Sequence, residues 1–199
     1  MTDTYLDPAT LNGATSTTQS MLDDDIDGMP LSDLQTHFEI TQFYNLEAEL
    51  LDGGRFADWL EMLADGLRYW APVRTNRLRR QQALAVHAPG EAAFYDETKE
   101  SLAWRIRRYD SGMAWAEDPP SRTRHLVTNI AAREREDGLL QVSSAFLCYR
   151  NRLHTEVDLY AGGRSDVIRR SGTHGFEVLK RTILFEQNVL LMKNISTFF

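Results

Sequence analysis

The chain has 199 residues, 42% of them aliphatic, aromatic or cysteine, and a net charge of −7; that is enough for one core and short for two. No apolar run reaches the roughly 18 residues of a membrane span, and the start, MTDTYLDPATLNG, has no basic-then-apolar leader pattern, so a cytoplasmic protein with no membrane partner is expected. The single cysteine, Cys148, excludes an internal disulfide framework and any multi-cysteine metal site.

Residues 1–30 hold six aspartates, no Lys or Arg, and no apolar period; they read as a flexible acidic N-terminal tail, with residues 31–199 as a single domain. A first helix is predicted from Ser32, which with Gln35 forms a capping-box pattern, and continues with Leu34, Phe38 and Leu46 at helical spacing until Asp52-Gly53-Gly54. A second helix, Phe56 to about Ala64, carries Trp59, Leu60 and Leu63 on one face. The period then becomes two: Leu67, Tyr69, Ala71 and Val73 share a parity, and Pro72 assigns this strand to an edge or a bulge. Arg74 to Pro89 reads as an exposed loop. A third helix is predicted from Asp96 as N-cap, with Leu102, Ile106 and Tyr109 inward, to Gly112.

Everything after residue 120 reads as strand: His125–Arg135, a hairpin at Glu136-Asp137-Gly138, Leu139–Arg152, Glu156–Arg170 with a bulge at Gly162-Gly163, Phe176–Gln187 and Val189–Phe199. Helices first and a long antiparallel meander afterwards is the α+β pattern; a strongly curved, mainly antiparallel sheet with the N-terminal helices in its concave face accounts for it. Phe176–Gln187 is apolar on both parities, where a sheet facing water should alternate, so a partner subunit is the expected cover.

The chemistry is sparse. His37, His87, His125, His154 and His174 show no metal-ligand spacing, and no nucleophile-elbow, Walker or dinucleotide pattern occurs. Catalytic, cofactor-binding and metal residues are therefore expected to be none, with Cys148 a buried thiol. One alternative stays open: a pocket of Tyr44, Trp59 and Tyr69 with Asp65 as acid, suited to a stand-alone isomerase or dehydratase. Arginine outnumbers lysine and clusters at Arg74–Arg80 and Arg105–Arg108. With an acidic total this argues against nucleic acid and for a protein interface. In "GMAWAEDPPSRTRHLVTNI" the prolines make a stiff connector. Arg122 and Arg124 point the same way on an extended chain and serve either a neighbouring subunit or intrachain pairs. Trp115, Asp118, Arg122, Arg124, Arg105 and Arg108 are the subunit-contact candidates.

The stretches "FYNLEAELLDGGRFADWLEML", "LRYWAPVRTNR", "FYDETKESLAWRIRRYDSGMAWAEDPPSRTRHLVTNI", "KRTILFEQNVL" and "NISTFF" occur in this order over residues 40–199. In them the chain resembles the small (β) subunit of bacterial aromatic-ring-hydroxylating dioxygenases, and in "AWAEDPPSRTRHLVTN" the biphenyl, toluene and benzene branch. The resemblance implies a cystatin-like, nuclear-transport-factor-like (NTF2-like) cone. It also implies an assembly of three α and three β subunits, with room for contacts between β subunits, served by a ferredoxin and a reductase. There the α subunit holds a Rieske [2Fe-2S] cluster and a mononuclear Fe(II). A Rieske centre takes two cysteines and two histidines, and this chain has one cysteine, so the implied role is non-catalytic.

Overall fold

The computed structural model describes residues 26, 28–110, 117–190 and 195–199. Helix α1 spans Leu34–Asp52 and α2 Phe56–Leu60; β1 is Leu63–Pro72, β2 Ala93–Glu97, α3 Lys99–Asp110, β3 Arg122–Glu134, β4 Leu140–Arg152, β5 Glu156–Ser171 and β6 Gly175–Phe185. The strands form one sheet in the order β2-β1-β6-β5-β4-β3. All neighbours are antiparallel except β1 and β6, which are parallel. The three helices pack on the concave face: α1 lies along β3 and reaches β6, α3 lies on β1, and α2 joins α1 to α3.

The local chemistry moves several boundaries. The cap of α1 is Asp33, one residue beyond Ser32, because the Asp33 carboxylate accepts from the Thr36 amide at 2.8 Å. The second helix ends at Leu60, and Leu63 already belongs to β1. Asp96 does not cap α3. It sits in β2, a short edge strand whose last two residues overlap the start of the segment read as helix, while Thr98 and Ser101 satisfy each other's amides at the true helix start. Pro72 does mark a bulge, since the β1–β2 register shifts between Ala71 and Pro72. The Arg74–Pro89 loop contains a 3-10 turn over Arg79–Leu84 and an Arg74–Val86 bridge. The predicted end of the third helix at Gly112 lies outside the described residues.

Two corrections concern the sheet. At Gly162-Gly163 both ladders run in register, so no bulge is there; the shift occurs between Val167 and Ile168. Glycine is required at 162 for space: a Cβ would collide with the Leu184 carbonyl and come 2.9 Å from the Phe146 ring. Gly162→Val is accordingly expected to lose about 1–3 kcal/mol by overpacking in urea unfolding. Gly172→Ala, where a Cβ meets nothing within 4 Å, should be near neutral. The second correction is to β6, which lies between β1 and β5. Its Thr182 and Leu184 are 5% and 3% exposed on the face away from Ile183 and Phe185, so this chain buries both faces of the strand without a partner.

Described residues 186–190 and 195–199 form no strand. The last of them turn inward instead, and Phe198 and Phe199 join the core at 2% and 1% exposure.

Candidate functional site

A cone of this shape can hold a ligand in its concave interior. Here that interior is filled twice over. The first filler is a charge cluster. Glu47 points from α1 into the sheet, where its carboxylate accepts from Arg181 Nη1 at 2.5 Å, Arg164 Nη1 at 2.9 Å and the Trp59 indole at 3.1 Å. Asp166 on β5 accepts from Arg181 Nη2 at 2.7 Å and from the Tyr44 hydroxyl at 2.8 Å. Two carboxylates face two guanidiniums, so the buried cluster is neutral overall. Burial works against the charged form of Glu47, yet Arg181 and Arg164 hold its carboxyl down at about 2. Burial likewise opposes the Arg181 charge, and Asp166 and Glu47 outweigh it, raising that guanidinium further above its ordinary range.

The second filler is the segment 195–199. The Tyr109 hydroxyl donates to the Ser196 carbonyl at 2.6 Å, Tyr95 to Thr197 at 2.6 Å and Tyr69 to Phe199 at 2.9 Å; Arg181 Nη1 also reaches the Phe199 carbonyl at 2.8 Å. Phe198 stacks on Trp59 with centroids 4.9 Å apart. Phe199 packs against Phe146, Tyr160 and Phe185 at 5.0–5.3 Å. Burial pushes the phenols up, Tyr109 to about 12, so they act as fixed donors at neutral pH.

A cavity of about 330 Å³ remains at the rim, between Phe56, Tyr109, Phe198, Glu117, Thr123 and His125. Its one acid–base pair is His125 with Asp52. His125 Nδ1 lies 2.6 Å from Asp52 and Nε2 lies 2.9 Å from the Phe198 carbonyl. Both partners are acceptors, so both ring nitrogens are committed and neither is offered to a ligand. The His125 amide donates to Asp52 as well. Burial raises the Asp52 carboxyl, but the His125 hydrogen bonds more than offset it and leave the group below its ordinary value. The pair is a clasp between the end of α1, β3 and the C-terminal segment.

The acid–base pocket of Tyr44, Trp59, Tyr69 and Asp65 does not form. The three aromatic residues are buried and bonded within the core, whereas the Asp65 side chain is fully exposed on the surface and paired with Lys99 at 2.9 Å. Cys148 is buried, and that burial pushes its thiol up to about 12. Among the described residues no group of three or more His, Cys, Asp or Glu side chains could hold a metal. The donor set does not fit a Rieske cluster.

The contact candidates scatter. Arg105 is drawn into the chain, donating to Glu97 at 2.6 Å and lying over the Tyr95 ring. Arg108 is exposed on α3. Arg122 is exposed and has no carboxylate partner among the described residues; Arg124 is 72% exposed, 3.5 Å from Asp52. Asp118 is exposed and precedes a cis proline. Trp115 lies outside the described residues. The connector is held by two arginines that sequence reasoning missed: Arg150, 2% exposed, pairs with Glu117 and Asp158, and Arg152 donates to the carbonyls of Asp118 and Pro119. Glu117 in turn accepts from the Ser196 hydroxyl. Their only sequence signal is position: Arg150 falls on the inward parity of β4, with Phe146 and Cys148.

These features define the protein class first: a cystatin-like, nuclear-transport-factor-like α+β cone. In solved structures the same fold covers 88% of this chain and 92% of a naphthalene 1,2-dioxygenase chain (TM-score 0.78, 22% identity). It covers 85% of this chain and 100% of the beta subunit of benzoate 1,2-dioxygenase from Burkholderia mallei (TM-score 0.62, 19% identity). It also extends to a scytalone dehydratase homologue from Novosphingobium aromaticivorans, over 77% of this chain and 86% of the other (TM-score 0.55, 11% identity). Residues 46–192 match the family described as ring hydroxylating beta subunit. Over 163 residues, 81% of this chain and 87% of the relative, it is 42% identical to the biphenyl 2,3-dioxygenase beta subunit of Rhodococcus jostii and 43% identical to the chlorobenzene dioxygenase beta subunit of Cupriavidus. The benzene 1,2-dioxygenase beta subunit of Pseudomonas putida is 42% identical over the same shares. The chain belongs to the family of beta subunits of aromatic-ring-hydroxylating dioxygenases.

Proposed function

We propose that this chain is the non-catalytic subunit of a terminal dioxygenase assembled from three large and three small subunits. In this reading the large subunit carries the Rieske [2Fe-2S] cluster and the mononuclear iron. With O2, and electrons from NADH passed by a reductase and a ferredoxin, it cis-dihydroxylates an aromatic hydrocarbon of the benzene or biphenyl kind. The small subunit supplies a rigid body on which the large subunits are held, in the cytoplasm. One observation carries this reading: the interior that a cone-shaped enzyme would keep for a substrate is occupied by a neutral charge cluster and by the chain's own Phe198 and Phe199.

Changing the rim clasp tests it. Asp52→Asn removes the charge facing His125 in the pair that borders the rim cavity. The assembled complex of this variant is expected to turn over per iron within about twofold of the wild type, with the pH profile unmoved. A hundredfold loss in a complex of correct mass, as for removal of a general acid–base group, would contradict the reading.

A further inference from the structure

The rim cavity, about 330 Å³, has the size of a small-molecule pocket. An apolar space of about 150 Å³ already admits benzene, so a single ring with a short substituent fits. One side of the cavity is apolar: Leu51 from the end of α1, Phe56 from α2, Tyr109 from α3 and Phe198 from the C-terminal segment. These rings brace one another, with Phe56 5.5 Å from Tyr109 and 5.6 Å from Phe198 between centroids. The wall is thus set by packing within the chain and is ready before any ligand arrives.

The other side is charged, and its charges do not balance as those of the inner cluster do. Asp52, Glu117 and Asp118 line the cavity, and among the described residues no Lys or Arg does. Arg150, which pairs with Glu117, is shared with Asp158, so one guanidinium answers two carboxylates. Asp52 faces His125 at 2.6 Å and the largely exposed Arg124 at 3.5 Å. The Asp118 carboxylate has no partner among the described residues; only its backbone carbonyl is taken, by Arg152. An anion in this cavity would meet carboxylates and no cationic side chain. A neutral ring would gain the apolar wall alone. A cation on an apolar body gains the wall and answers the excess negative charge, which a concave site concentrates.

We propose that the rim cavity binds a small organic cation, a protonated amine carried on a ring-sized apolar body. The ammonium, with three donors and no acceptor, lies at Asp118 and Glu117, and the body lies against Phe56, Tyr109 and Phe198. The site uses none of the atoms that fill the interior of the cone, and it rests on the rim alone. A chain that never recruits a large subunit would remove the proposed function and leave this site standing.

Benzylamine, benzyl alcohol and benzoate share a ring and differ in charge, so calorimetric titration of the full-length chain at neutral pH separates the possibilities. Benzylamine is expected to bind with a Kd at or below about 1 mM, about tenfold more tightly than benzyl alcohol, and benzoate not at all. Asp118→Asn, at an exposed position, should weaken benzylamine about three- to fivefold, the worth of one exposed ion pair, and leave benzyl alcohol unchanged. Thr123→Phe, which places a ring in the cavity from β3, should abolish binding; if that variant does not fold, Asp118→Asn decides alone, because it alters no packing. A wild type that binds no benzylamine, or binds the three compounds alike, overturns the proposal. So does an affinity that Asp118→Asn leaves unchanged, and so does a site that closes in the complex the chain forms in its host.

Discussion

Arg181→Met is expected to cost about 3–5 kcal/mol, the penalty for leaving buried charges without their partner, read as a lower midpoint in urea unfolding with little change in slope. Arg181 is fully buried and holds three groups at once: Glu47, Asp166 and the Phe199 carbonyl. Its removal leaves Asp166 with the Tyr44 hydroxyl and Glu47 with Arg164 and Trp59. The cluster also sets an acid limit. The Glu47 carboxyl lies at about 2 in the folded chain against an ordinary 4.5. A depressed carboxylate contributes stability that is fully present above 4.5 and is lost as pH falls from there towards 2. Unfolding followed from pH 6 to pH 3 should show that loss, and Glu47→Gln should flatten it. An Arg181→Met chain as stable as the wild type would mean that the cluster is not buried as described.

The second large effect is at the C-terminal segment. Phe199→Ala removes a ring that is 1% exposed and touches Phe146, Tyr160 and Phe185, for an expected loss of about 3–5 kcal/mol. In a chain of this size that is a fall in Tm of roughly 10 °C. The vacated space is apolar and lies under the sheet, and cavities of that kind stay dry and take up small aromatic molecules. Added indole or benzene should therefore raise the Tm of the variant and leave the wild type unmoved. A variant with unchanged Tm would contradict the plugged interior.

Much of this architecture was legible in the residues. The inward set of β4, Leu140, Val142, Phe146 and Cys148, follows from alternation alone, and so does the hairpin at Gly138, whose φ of +78° favours glycine. β2 was missed because its five residues sit between a loop and a helix, and Asp96 resembles a cap. The strand predicted for Val189–Phe199 failed for a tertiary reason: tyrosine hydroxyls from β1, β2 and α3, not a neighbouring strand, take up the carbonyls of 196, 197 and 199. The buried cluster was the least visible feature. Glu47 looks like any polar position on an amphipathic helix, and Arg164, Asp166 and Arg181 interrupt strands with charge. Only the fold brings their opposite charges together across more than a hundred residues. Both parities of β6 are apolar because both of its faces are buried within the chain, Thr182 and Leu184 on one side and Ile183 and Phe185 on the other.

The most direct test of the central claim is native mass spectrometry with metal analysis of the complex this chain forms in its host, beside the chain alone. A coloured complex of three large and three small chains, with all the iron on the large one and a metal-free isolated chain, is the predicted result. A colourless oligomer of this chain alone, turning over a substrate in its own interior, would contradict it.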